Sequence, residues 1–151
     1  MLIPAWYALT YLHALHYGYV FYVISLIAFA DIAAYFSGKR FGKTKLAPSL
    51  SPGKTREGAL GALVATFLWS CICAAFTDLS VSGGLVFVLF SMFAVVMSIA
   101  GDLFESLIKR QACVKDSGTL LPGHGGILDR FDAAIFAAPF FYCWLVIYSY
   151  F

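Results

Sequence analysis

Sixteen of the eighteen charged side chains in this 151-residue chain fall in two short windows, 39–57 and 102–132. The first holds Lys39, Arg40, Lys43, Lys45, Lys54, Arg56 and Glu57. The second holds Asp102, Glu105, Lys109, Arg110, Lys115, Asp116, Asp129, Arg130 and Asp132. Only Asp31 and Asp78 lie outside them. A soluble domain spreads roughly 25% charged residues over its surface, whereas this chain has 12% charged and 62% hydrophobic residues. An ordinary soluble domain, a disordered chain and a basic nucleic-acid binder are thereby excluded, and the net charge of +2 is too small to point to nucleic acid. The pattern is that of an integral membrane protein with two polar loops.

A hydrocarbon core about 30 Å thick takes about 20 apolar residues in a helix. Four stretches approach this length: Tyr19–Phe36, Ala59–Phe76, Leu85–Gly101 and Phe131–Phe151. The third is short and is expected to continue through Asp102–Lys115 as one helix. Pro139 interrupts the fourth, which neighbouring helices can tolerate. Met1–His16 is apolar and aromatic but too short to span, and it has neither the basic start nor the cleavage site of a signal peptide. It reads as a short helix on or partly within the membrane. His13 and His16 are spaced to share a metal, but polar tips at an interface are the simpler expectation. The predicted fold is an all-α polytopic transmembrane bundle, about four spans plus a short N-terminal helix, with 1–151 as one membrane-embedded domain.

Six Lys/Arg side chains lie between the first two spans, three in the loop between the last two with Arg130 at the head of the fourth, and none in the connection near Asp78. Basic loops stay cytoplasmic, so both windows are assigned to the cytoplasmic face and the C-terminus to the other. Two loops on one face can converge on one site. Cys71, Cys73, Cys113 and Cys143 form no C-x-x-C pair and read as small buried hydrophobes, without a disulfide or zinc site.

Asp31 stands within an apolar helix, where an ionised carboxylate is costly without a partner, a cation or a proton. Gly53-Lys54-Thr55 suggests a P-loop, but that pattern needs glycine where Pro48 stands, and no strand is expected before it. A weaker phosphate-binding arrangement remains, with Ser51, Lys54, Thr55 and Arg56 near a helix start. The alternative is a basic loop that obeys the positive-inside rule or touches anionic lipid.

In the second window Asp102, Glu105 and Lys109 share one helical face. Lys109, Arg110 and Lys115 supply positive charge beside Asp116. A loop with Gly118, Gly123, Gly125 and Gly126 follows, and Asp129, Arg130 and Asp132 open the last span. Asp102, Asp129 and Asp132 offer hard oxygen ligands suited to Mg²⁺, which prefers a few carboxylates plus substrate phosphates. Gly125 and Gly126 can present backbone N–H groups to an anion. His124 is open to two roles, acid–base chemistry or a hydrogen-bond post for the loop. This inventory suffices for phosphoryl-type transfer, which is mostly positioning and charge neutralisation. A salt-bridged interfacial loop explains the charges but not the clustered glycines. No Ser/His/Asp or Cys/His nucleophile arrangement is present.

The run from Ser106 through Lys109-Arg110, Lys115-Asp116, Gly118, Pro122, His124-Gly125-Gly126 and Asp129-Arg130 to Asp132 resembles the signature of the phosphatidate cytidylyltransferases, the CDP-diacylglycerol synthases. So do Asp31, Ala34-Tyr35, Gly38 and Gly42, the run Ser51–Gly58, and Gly101-Asp102-Leu103 with Glu105-Ser106. The resemblance implies that CTP and phosphatidic acid give CDP-diacylglycerol and pyrophosphate in phospholipid biosynthesis. It implies Mg²⁺, with a second cation left open, on Asp102 and Asp129, with Lys115-Asp116 in the same site. It also implies a bacterial cytoplasmic membrane as the location. Arg56 replaces a residue that is often aromatic in the family. The resemblance runs from about Phe29 to the C-terminus, and full-length relatives carry further N-terminal helices. A homodimer or a companion chain supplying those helices is therefore left open, as is an inactive fragment.

Two rival functions remain at this point. A CTP-dependent lipid kinase, or a cytidylyltransferase for another lipid phosphate, would use the same groups. A transporter or scaffold would line its spans with charge, but the charges lie in the loops.

Overall fold

The computed structural model describes residues 2–48, 50–77, 79–112 and 128–148, with side chains in the last segment described for 133–147. Five helices follow in order: α1 (Leu2–Leu15), α2 (Tyr17–Phe41), α3 (Arg56–Ala75), α4 (Val81–Gln111) and α5 (Leu128–Tyr148). α2, α3 and α4 are long and apolar enough to cross a membrane. α5 has 21 residues, with Pro139 inside it and Ala133–Ile147 as its described apolar stretch. Each expected span is therefore a helix, and the third continues unbroken to Gln111.

One feature differs from expectation. The first polar loop contains an antiparallel hairpin, β1 (Lys45–Ala47) and β2 (Ser51–Thr55), with Lys45 opposite Thr55 and Ala47 opposite Ser51. Gly53-Lys54-Thr55 thus lies on a strand. Pro48, Pro52 and Gly53 are poor strand formers, so tertiary attachment holds the hairpin. The Arg56 N–H donates to the Thr44 carbonyl at 2.9 Å. The Thr44 N–H donates to the Glu57 carboxylate at 3.2 Å.

The core lies where α2, α4 and α5 meet. Tyr22, Phe87, Phe141 and Trp144 pack ring against ring, with centroids 4.8–5.9 Å apart. The Ser91 hydroxyl donates to the Phe87 carbonyl at 2.8 Å, so the Tyr22 hydroxyl donates to Ser91 at 2.7 Å. The Trp69 indole N–H of α3 donates to Ser25 of α2 at 3.3 Å. Such interhelical bonds add to helix association where lipid gives no hydrophobic drive.

α1 packs against α5 and α2, burying Ala5, Ala8 and Leu12. Its other side exposes Leu2, Ile3, Trp6 and Leu15. The His16 Nδ1 accepts the Gly18 N–H at 3.0 Å and caps α2, so this ring serves the helix start. Cys71 and Cys73 are half-buried and free; Cys143, expected inside, is free and exposed.

Candidate active site

Small residues let α2 and α3 approach closely at their charged ends. A Cβ on Gly58 would stand 2.9 Å from the Ala34 carbonyl oxygen, and one on Gly61 would overlap Ser37. Only glycine fits between such backbones. The Thr55 hydroxyl accepts the Gly58 N–H at 3.1 Å and caps α3. Lys54, immediately before it, is directed across the bundle to α4.

There the Lys54 ammonium pairs with the Asp102 carboxylate. The partners are 48 residues apart in sequence and belong to different polar windows. Their side chains keep 28% and 38% exposure, so the pair sits in an open cleft. At 1.5 Å per residue, ~20 residues from Val81 exhaust the hydrocarbon thickness near Gly101. Asp102 therefore directly follows a stretch long enough to cross the hydrocarbon core. One turn further, Glu105 is buried, and its Oε1 lies 3.4 Å from the Lys109 ammonium.

The pair borders a cavity of about 820 Å³. Ile24, Ile27 and Ala28 line its apolar part, and Asp31, Tyr35 and Lys39 continue the same face of α2 toward the polar end. Lys45, Lys54 and Thr55 enter from the hairpin, Ser98, Asp102 and Lys109 from α4, and Ala133 and Ala134 from α5. From Ile24 to Gly42 this face extends ~27 Å along the helix, a large part of a monolayer and its headgroup region. The cavity is amphipathic along its length.

Of the residues expected in the site, Lys54, Thr55, Asp102 and Lys109 are brought together. Ser51, Arg56, Ser106 and Arg110 do not line the cavity; Arg56 and Arg110 are exposed. Lys115, Asp116, His124, Gly125 and Gly126 lie outside the described residues. So do the side chains of Asp129, Arg130 and Asp132, whose backbone forms the first turns of α5, just before Ala133 and Ala134. Lys39 and Lys45 were not singled out from sequence. The signal for Lys39 was present, since Asp31, Tyr35 and Lys39 recur every four residues along one helical face.

The donor chemistry can be tested against Mg²⁺. Asp102 presents hard carboxylate oxygens to the cavity and already holds a cationic side chain there. Among the described residues no group of three or more His, Cys, Asp or Glu is gathered for a metal. Asp31 and Asp102 are the described carboxylates that line the cavity, and one or two carboxylates that leave other positions to phosphate oxygens and water suit Mg²⁺.

A model of the cytidylyltransferase family matches residues 2–148, so the likeness begins well before Phe29. The phosphatidate cytidylyltransferase of Pseudomonas aeruginosa is 46% identical over 143 residues, 93% of this chain and 53% of that protein. That of Haemophilus influenzae is 44% identical over 139 residues, 87% of this chain and 47% of that protein. That of Bacillus subtilis is 44% identical over 131 residues, 87% of this chain and 48% of that protein. The chain spans about half the length of the curated relatives it matches. With a family match covering every residue that lines this cavity, the chain belongs to the cytidylyltransferase family.

Proposed function

We propose that this chain carries the catalytic part of a phosphatidate cytidylyltransferase of the bacterial cytoplasmic membrane, open to the cytoplasmic face. CTP and phosphatidic acid are its substrates, CDP-diacylglycerol and pyrophosphate its products. The observation that carries this reading is the Lys54–Asp102 pair, which joins both polar windows at the mouth of a cavity whose other part is apolar. A lipid phosphate with its acyl chains beside Ile24 and Ile27 meets a water-soluble triphosphate at that mouth.

An oxygen of the lipid phosphate attacks the α-phosphorus of CTP, the bond to the β-phosphate oxygen breaks, and pyrophosphate leaves. The attacking oxygen is already anionic, so no strong base is required. Lys54, Lys39, Lys45 and Lys109 hold phosphate charge around the mouth. Asp102, with Asp129 and Asp132, is proposed to hold Mg²⁺; when bound, the ion offsets charge on the transferring and leaving phosphates. Lys115-Asp116 and the His124–Gly126 run are assigned to the same site on the family pattern.

The test is turnover of labelled CTP with phosphatidic acid and Mg²⁺ by the detergent-solubilised chain. Label from the α-phosphate in lipid together with released pyrophosphate supports the proposal, whereas released CDP identifies a lipid kinase. Asp102→Ala and Asp129→Ala are each expected to abolish incorporation while membrane insertion persists. The same substitutions at the matched positions of the Pseudomonas aeruginosa relative repeat the test at full length.

A further inference from the structure

The Lys54–Asp102 pair contains a competition. Lys54 occupies an oxygen of Asp102, the carboxylate to which the proposed function assigns a divalent cation. Both side chains remain partly open to solvent. Lys54 projects from a strand beside Gly53, around which a Cβ would meet nothing within 4 Å, so the strand has free space on that side. A lysine head is a compact hydrated charge on a flexible stem and can move between partners. Lys109, the α4 cation that lines the cavity, has Glu105 of its own helix 3.4 Å away. Lys54 ties the hairpin to α4.

We propose that Lys54 is an exchangeable internal cation, resting on Asp102 until a divalent ion takes that carboxylate and then turning to the nucleotide phosphates. This rests on the proposed metal role of Asp102. Without the ion, Lys54 neutralises the carboxylate and keeps the hairpin docked on α4. With the ion bound, two positive charges cannot share Asp102 closely, and the ammonium is released beside the incoming phosphates. Metal and nucleotide therefore favour each other's binding through one side chain, and by linkage the effect is reciprocal.

The test is Mn²⁺ binding, followed by electron paramagnetic resonance, to the full chain in nanodiscs without nucleotide. Lys54→Met is expected to bind Mn²⁺ about fivefold more tightly than the parent, the size of a partly exposed charge pair. Lys54→Arg is expected to stay near the parent value, and Asp102→Asn to lose affinity. In the unsubstituted chain, amine-reactive labelling read by mass spectrometry is expected to rise at Lys54 when Mg²⁺ is added, with Lys43 unchanged. Unchanged or weaker Mn²⁺ binding in a folded Lys54→Met chain, alongside loss in Asp102→Asn, overturns the exchange but leaves the metal role standing. Unchanged Lys54 labelling on Mg²⁺ addition also overturns the exchange and requires no variant to fold. Unchanged Mn²⁺ binding in Asp102→Asn removes Asp102 as a ligand, and the exchange with it.

Discussion

At the scale of single residues, Gly101 leaves no room for a side chain. A Cβ there would penetrate the ring of Phe136, which also contacts Phe104 edge-on with centroids 6.1 Å apart. This contact fixes α5 against α4 one residue before Asp102. Gly101→Ala is expected to cost about 1–3 kcal/mol through overpacking. Adding Phe136→Ala is expected to return part of it, because the two changes share one contact. Thermal unfolding of both variants in detergent measures this coupling, and independent additive losses would refute the contact. The sequence marks Gly101 as part of a motif, but only the fold reveals its partner 35 positions away. The same holds for Lys54 and Asp102: both were legible as candidates, their pairing was not.

Among elements, the helices were readable because the bilayer dictates their length, and their ends followed the charges. The hairpin was unreadable for the opposite reason. Its strands are short, rich in proline and charge, and held by contacts with Thr44 and the start of α3 rather than by their own propensity. The N-cap at Thr55 is the joint of this arrangement. Thr55→Ala is expected to destabilise the chain by about 1 kcal/mol, the usual loss of a cap. Turnover should fall by more than that loss of folded protein accounts for, since Lys54 is the next residue. Thr55→Ser, which keeps the oxygen, should restore both. A Thr55→Ala chain with reduced stability and undiminished turnover would detach the cap from the placement of Lys54.

For the molecule as a whole, the charged ends of α2, α3 and α4 share one face, as the Lys54–Asp102 pair requires. The proposed function assigns this face to the cytoplasm, in line with the positive-inside rule. Lys43→Cys, in a background lacking Cys71, Cys73, Cys113 and Cys143, is expected to react with an impermeant maleimide in inside-out vesicles and not in right-side-out cells. The reverse pattern would invert the bundle. The length of α4 carries a further consequence. This uninterrupted rod of 31 residues measures ~46 Å, well beyond the hydrocarbon thickness. Asp102 consequently stands at a fixed height above the far leaflet, and lipid chain length decides whether it is bathed in headgroups or drawn under the acyl surface. Reconstitution in phosphatidylcholines from 14 to about 22 carbons should show turnover collapsing in the thicker membranes. On the proposed function, the helix is a depth gauge that suits the chain to membranes no thicker than its own ruler permits.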